Sequence, residues 1–395
     1  MNMDRIPSET LVCQECGRCT GVCPVARSGL GHSPRKVIRS AGAGGTRSPE
    51  FDRALFSCLG CDRCATVCPA GLVISEVIVK LRAEVGSDRG AGTLAHGGLL
   101  QSFMRMMATS PDRQRRLDWL DPSLRVSTSG DTILFVGCAP YFDRVFDFPG
   151  LRPVETARNA VRLLNRVGIE PILLEDERCC GHDLLWLGDT GNFRLLAERN
   201  LAQIAATGAK RLVFSCPECL RTFKLDYQRR FGKSGLELLH ISELLVQESS
   251  KLDPGALPGR VTFHDPCRLG RHLGIYDPPR ELLRAIPGVA LIEMNHSRET
   301  ATCCGGTAWV ECGTAVKCLQ SARLAEAGAT GADRLVTACP KCDIHLRCAL
   351  CGAGAETAPQ IINLIDLLAE SLGLSGPGPL PESAVLAHKG GNQDA

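Results

Sequence analysis

The sequence predicts an α+β multidomain chain in which a helical N-terminal unit precedes two pseudo-symmetric, parallel α/β lobes. Three observations predict it. The N-terminal part holds two identical cysteine runs, Cys13-x2-Cys16-x2-Cys19-x3-Cys23-Pro24 and Cys58-x2-Cys61-x2-Cys64-x3-Cys68-Pro69. From residue 131 onward the chain repeats itself. Within each repeat, short β-branched apolar runs alternate with helical stretches.

Composition bounds the rest. The 395 residues suggest two or three domains. With 45 Lys+Arg against 43 Asp+Glu, a net charge of +2 gives no electrostatic reason to expect nucleic acid or an anionic membrane surface. Hydrophobic content of 44% and charged content of 22% exclude wholesale disorder. The 22 cysteines are too sparse for a small disulfide scaffold and too many for a routine cytosolic enzyme. The opening MNMDRIPSET shows no apolar signal region, and no long apolar run follows. The expectation is a cytoplasmic chain with no transmembrane segment of its own, peripheral to a membrane only through a partner subunit. Cysteines in such a chain mean metal or redox chemistry before disulfides.

Two residues between thiolates let one turn of backbone present successive sulfurs to one compact cluster, while the cysteine before proline reaches the neighbouring cluster. Cluster one then takes Cys13, Cys16, Cys19 and Cys68; cluster two takes Cys58, Cys61, Cys64 and Cys23. Both are [4Fe–4S] cubanes, so residues 1–85 read as a helical double-[4Fe–4S] ferredoxin domain. Zinc prefers closed sets of four in spaced pairs and fits two 3+1 runs poorly. SPRKVIRS (33–40), FDRALFS (51–57) and GLVISEVIVKLRAEV (71–85) carry helical spacing, and AGAGG (41–45) reads as a flexible turn rather than a dinucleotide loop. Residues 86–130 read as a linker with short helices around GGLLQSFMRMMA (97–108). Met104, Met106 and Met107 are core or interface filler, and RQRR (113–116) is a solvated helix face before it is a docking patch.

The repeat carries the unusual chemistry. GAKRLVFSCPEC (208–219) matches GADRLVTACPKC (331–342), RCCG (178–181) matches TCCG (302–305), and TILFVGC (132–138) matches VTFHDPC (261–267). TILFV, PILLE and RLVFS in the first copy, and VTFHD, VALIEM and RLVTA in the second, read as strands separated by helices. They predict Rossmann-like lobes over 131–255 and 256–375, with each cysteine at the carboxyl end of a strand, where open α/β sheets build their sites. Neighbouring cysteines point apart on regular backbone, so Gly181 and Gly305 must supply the tight turn that brings each Cys-Cys pair to one side. Five cysteines per copy favour a metal cluster. A strained redox-active disulfide between neighbours and a buried structural pair are the alternatives.

The two Cys-Cys-Gly (CCG) blocks resemble the cysteine-rich domain of the B-type subunit of heterodisulfide reductase, and the double ferredoxin resembles the C-type subunit of the same enzyme. Their fusion, ferredoxin first, resembles the D-type subunit. The resemblance implies a non-cubane [4Fe–4S] cluster on each motif. One uses Cys138, Cys179, Cys180, Cys216 and Cys219; the other uses Cys267, Cys303, Cys304, Cys339 and Cys342. In that family a disulfide is reduced between two such clusters, with electrons arriving through the cubanes. The same architecture is similar to electron-relay iron–sulfur subunits of flavin-linked glycolate, lactate and glycerol-3-phosphate dehydrogenases, and to subunits of larger bifurcating complexes such as that of class II benzoyl-CoA reductase. Two complete sites favour the reductase. The chain has no flavin or nicotinamide fingerprint, so the expected partners are a flavin-containing electron-donor subunit, other redox subunits and a small disulfide or thiol substrate.

Cys312, Cys318, Cys348 and Cys351 remain without assignment, with Cys348-x2-Cys351 a minority zinc reading. His182, His264 and His345 stand within three residues of a repeat cysteine, either as hydrogen-bonding partners of the site or as satisfied polar residues. Arg268 and Arg271 could hold an anionic group or simply solvate a helix start. IINLIDLLAESLGL (361–374) reads as an amphipathic helix packing on the domain or a partner, and 376–395 as a flexible tail.

Overall fold

The computed structural model describes residues 12–28, 32–42, 48–88, 94–310, 312–350 and 358–374. The expected tail, Cys351 and most of the AGAGG turn lie outside them; Ala41 and Gly42 end the helix Pro34–Gly42 rather than opening a turn.

The N-terminal unit is helical, for legible reasons. In Ile74–Val85, Ile74, Val77, Ile78 and Leu81 recur at helical spacing and are all buried. Pro49–Phe56 starts on Ser48, whose hydroxyl accepts the Phe51 N–H at 3.2 Å, with Pro49 in the first turn where its missing N–H costs nothing. Residues 86–130 are more than a tether. Helix Leu99–Thr109 buries Leu100, Met104 and Met107, while Met106 is exposed, and the Gln101 amide donates to the Ala308 carbonyl at 2.7 Å. The RQRR reading is corrected: none of residues 113–116 lies in a helix, and only Arg113, Gln114 and Arg115 meet solvent. Arg116 lies outside any helix and is buried, donating to the Glu177 carbonyl and carboxylate at 2.9 and 3.3 Å.

Two parallel sheets follow. The first holds β1 (Thr132–Phe135), β2 (Arg211–Phe214) and β3 (Glu237–His240) in that order. The second holds β4 (Gly259–His264), β5 (Val289–Leu291), β6 (Arg334–Thr337) and β7 (Gln360–Asn363), in the order β5-β4-β6-β7. The repeat therefore maps β1 onto β4, β2 onto β6 and β3 onto β7. PILLE departs from the expectation of a strand: within it only Ile172 pairs, bridging Ile133 and Ser127 at the edge where β5 sits in the second sheet. IINLIDLLAESLGL also divides. Its first residues complete β7, and the helix begins at Leu364 once the Asn363 side chain accepts the Ile365 N–H.

One apolar core runs from Ile38 and Phe56 through Phe135 and Phe214 to Leu283 and Leu368. Phe135, Phe214 and Phe223 pack with centroids 5.0–5.6 Å apart, and truncating any one of them would cost about 3–5 kcal/mol. The last helix leans on the first lobe: Asp366 accepts from Thr156 Oγ1 and Asn159 Nδ2 at 2.7 and 2.8 Å.

Candidate metal centres

Two cavities in the N-terminal unit collect the eight ferredoxin cysteines. One, about 380 Å³, is lined by Cys13, Cys16, Cys19 and Cys68; the other, about 400 Å³, by Cys23, Cys58, Cys61 and Cys64, each partly open to solvent. These are the two 3+1 sets read from spacing. The fit is chemical as well as spatial. Four thiols converge on each space, and the buried Arg82 guanidinium stands beside the second as a counter-charge, donating to the Cys58 carbonyl at 2.8 Å. Burial pushes the Cys23 thiol up to about 12. Cys61 goes the other way, down to about 5, chiefly because the Cys303 thiol hydrogen-bonds to it and Arg271 stands near.

The repeat cysteines converge as expected, with one correction to their placement. Cys138, Cys216, Cys267 and Cys339 follow β1, β2, β4 and β6, but Cys179-Cys180 and Cys303-Cys304 sit in loops that follow no strand. Gly181 and Gly305 take φ of 79° and 85°, and a Cβ there would lie 2.7 Å from Phe193 or 2.8 Å from Val316. Cys138 Sγ is 3.5 Å from Cys179 Sγ. The contacts continue from Cys179 to Cys180, Cys219 and Cys216. In the second lobe they run from Cys267 to Cys303, Cys304, Cys342 and Cys339. Cys216 meets Cys339, which joins the two sets, and Cys303 meets Cys61, which joins the second set to the ferredoxin unit. The sulfurs thus form one connected series from the second ferredoxin cavity to Cys138.

Between the two repeat sets lies a buried ionic group that the sequence reading missed. Lys341 Nζ is 2.5 Å from Asp183 Oδ1 and 2.6 Å from Glu218 Oε2, and His182 Nδ1 is 2.8 Å from the same Asp183 oxygen. Against the penalty of burial, Asp183 and Glu218 hold the Lys341 ammonium well above its ordinary range. Burial lifts Glu218 to about 8 and drops His182 to about 3. The signal was present: the two Cys-Pro-x-Cys spacers carry opposite charges, Glu218 and Lys341, and an acid follows Cys-Cys-Gly-His.

Arg268 is buried, which removes the helix-solvation reading. It donates to His182 Nε2 at 3.0 Å, to Thr307 Oγ1 at 2.8 Å and to the Gly60 carbonyl, and it lies 3.9 Å over the Trp186 ring. Arg271 donates to the Cys61 and Ala301 carbonyls at 2.5 and 2.7 Å, tying the ferredoxin unit to the second lobe. The histidines make the two sets unequal. Arg323 Nε donates to His264 Nδ1 at 3.1 Å, which leaves Nε2–H to face Cys304. In the first copy Phe135 takes that place. His345 stacks on Trp309 at 4.9 Å, where the first copy has Thr222.

Comparison with known proteins agrees with this geometry. A 4Fe-4S dicluster domain model matches residues 12–73, and a cysteine-rich (CCG) domain model matches 133–224 and 261–347. The chain is 33% identical to the D-type subunit of the dihydromethanophenazine:CoB--CoM heterodisulfide reductase of Methanosarcina acetivorans, covering 92% of this chain and 94% of the relative. It belongs to the family of heterodisulfide reductase D-type subunits. The Methanosarcina mazei relative of the same name is 32% identical over the same shares. The B-type subunit of the fumarate reductase (CoM/CoB) of Methanothermobacter marburgensis is 28% identical, covering 90% of this chain and 71% of the relative. This D-type chain is therefore an iron–sulfur oxidoreductase subunit, carrying multiple [4Fe–4S] clusters and working with partner redox subunits. Among the described residues, no helix is long and apolar enough to cross a membrane.

Proposed function

We propose that the chain passes electrons through two cubane sites to two non-cubane sites, between which a small disulfide is reduced. The cubane sites are Cys13, Cys16, Cys19 and Cys68, then Cys58, Cys61, Cys64 and Cys23. The non-cubane sites are the five-cysteine sets ending at Cys219 and Cys342, on Rossmann-like lobes over 131–255 and 256–375, joined to the 1–85 ferredoxin domain by 86–130. One observation carries the reading: the unbroken sulfur series through Cys61, Cys303, Cys339 and Cys216. Bound clusters supply single electrons, and two electrons with two protons convert one disulfide into two thiols. The protein's part is to hold ten thiols in two abutting sets, with Lys341, Arg268 and Arg271 as fixed positive charge beside them. The electron donor is a flavin-containing subunit, and the chain is cytoplasmic, meeting a membrane only through a partner.

Anaerobic iron and sulfide analysis with low-temperature EPR tests this. Four [4Fe–4S] units predict about 16 Fe per chain, and about 8 would leave the CCG sites empty and overturn the catalytic reading. A new paramagnetic signal on oxidation by a heterodisulfide supports reduction at these sites. The likeness to an EtfAB:quinone oxidoreductase, 25% identical over 90% of this chain and 57% of the relative, supports a second reading, an electron relay for a flavin-linked partner, which predicts full iron with no such signal.

A further inference from the structure

Two cysteines outside every set above meet at the surface of the second lobe. Cys348 stands in the last turn of the helix Pro340–Leu350, whose other end carries Cys342. Cys312 stands just before the helix Thr314–Ala329, which packs against the first and carries Lys317 near its start. Lys317 Nζ is 2.8 Å from Cys348 Sγ, the Cys312 thiol hydrogen-bonds to the same sulfur, and the His96 imidazole lies near. Neither cysteine is in a disulfide, and both are partly exposed.

The chemistry of this group differs from that of the cluster sets. An ammonium at 2.8 Å is a counter-ion for a thiolate, and a metal on the same sulfur would set a second positive charge against it. A helix C-terminus by itself disfavours an anion. The Cys312 thiol donor, then Lys317, outweigh that and the cost of partial burial, and together they push the Cys348 thiol down to about 5.

We propose that Cys348 and Cys312 form a metal-independent thiol–disulfide exchange centre, with Cys348 the nucleophile, Cys312 the resolving thiol and a low-molecular-weight disulfide the substrate. The Cys348 thiolate attacks one sulfur of R–S–S–R, the S–S bond breaks and one RS⁻ leaves. Cys312 then attacks the Cys348 sulfur, its proton goes to the second leaving thiol, and a Cys312–Cys348 disulfide forms. One external disulfide becomes RS⁻ and RSH, and the two cysteines together lose two electrons. The new bond staples the start of one helix to the end of its neighbour. Lys317 is a positioning residue that holds the thiolate without touching substrate sulfur.

The test uses the full, cluster-loaded chain under anaerobic conditions. At pH 6 a thiol held at about 5 is about 90% thiolate, against about 0.1% for one at its ordinary 9.0. That gain of about 900-fold is offset by about 60-fold lower nucleophilicity, leaving about 15-fold. Iodoacetamide at pH 6 should therefore modify Cys348, followed by peptide mass spectrometry, about 15-fold faster than a low-molecular-weight thiol of ordinary pKa 9.0 added as internal standard. The advantage should fall several-fold in Lys317→Met and return in Lys317→Arg. With 2-hydroxyethyl disulfide as probe, the wild type should give the Cys312–Cys348 cross-linked peptide, and Cys312→Ser a stable mixed disulfide on Cys348. Unchanged iron content in each variant shows that the fold and cluster sites are intact. Equal alkylation of Cys348 and the internal-standard thiol, or a persistent mixed disulfide in the wild type, overturns the proposal. Because the readout is a named peptide, failure of disulfide reduction at the CCG sites leaves this result unaffected.

Discussion

Replacing Lys341 with methionine isolates the charge that holds the two lobes' sites together. Lys341 is 2% exposed, and its ammonium faces Asp183 at 3% and Glu218 at 7%. Removing it leaves two buried carboxylates, of which Glu218, already lifted to about 8, takes a proton readily. Asp183 is left charged, and an uncompensated buried charge of this kind costs about 3–5 kcal/mol. Protonation caps that cost: neutralising a carboxyl of ordinary pKa 3.8 at pH 7 takes about 4 kcal/mol, in the same range. Adding Asp183→Asn removes the stranded charge and should return more than half of the loss. Trp309 reports the region, since Lys341 Nζ lies 5.1 Å over its ring. Anaerobic urea unfolding followed by tryptophan fluorescence gives the three midpoints. A single variant within about 1 kcal/mol of wild type, or a double variant no better than the single, refutes the reasoning.

Three further outcomes follow from the same geometry. His264→Phe gives the second site the side chain of the first and removes one N–H donor facing Cys304; at about 1 kcal/mol per hydrogen bond, one redox couple should fall by about 40 mV in an EPR-monitored titration while the others hold. Arg82→Met strands the Leu55, Phe56, Cys58 and Trp186 carbonyls that the guanidinium serves, so the N-terminal unit should lose about 3–5 kcal/mol and iron should fall toward 12 per chain by metal analysis. Burial lifts Asp366 from 3.8 to about 6, so the folded state holds more protons across that window and wild-type stability falls as pH rises through it. Asp366→Asn should therefore melt higher than wild type above pH 6, by about 1–2 kcal/mol after allowing for partial solvent contact, and equal it near pH 4; a constant difference across pH would contradict this.

Cysteine spacing alone groups the eight N-terminal cysteines as the two cavities do, because such a run is local: three sulfurs from one turn and one from the partner run need no knowledge of packing. The repeat was equally legible, and apolar alternation located β1, β2, β4, β5 and β6. Where reading failed, longer-range partners decided. PILLE has strand composition, but only Ile172 pairs, with Ile133 and Ser127, and the ladder goes no further. ELLH (237–240) carries no separate strand signal because it runs straight into the helix Ile241–Gln247, and only pairing with β2 makes it β3.

The sequence by itself determined how many cysteines there are, how they group and which class of cofactor they suit, since those follow from residue type and spacing. Only the tertiary structure decided the order in which the groups meet. Cys61 touching Cys303, Cys216 touching Cys339, and Lys341 closing on Asp183 and Glu218 join residues up to 242 positions apart. Such contacts depend on how three packed units share one core, and no local pattern encodes them.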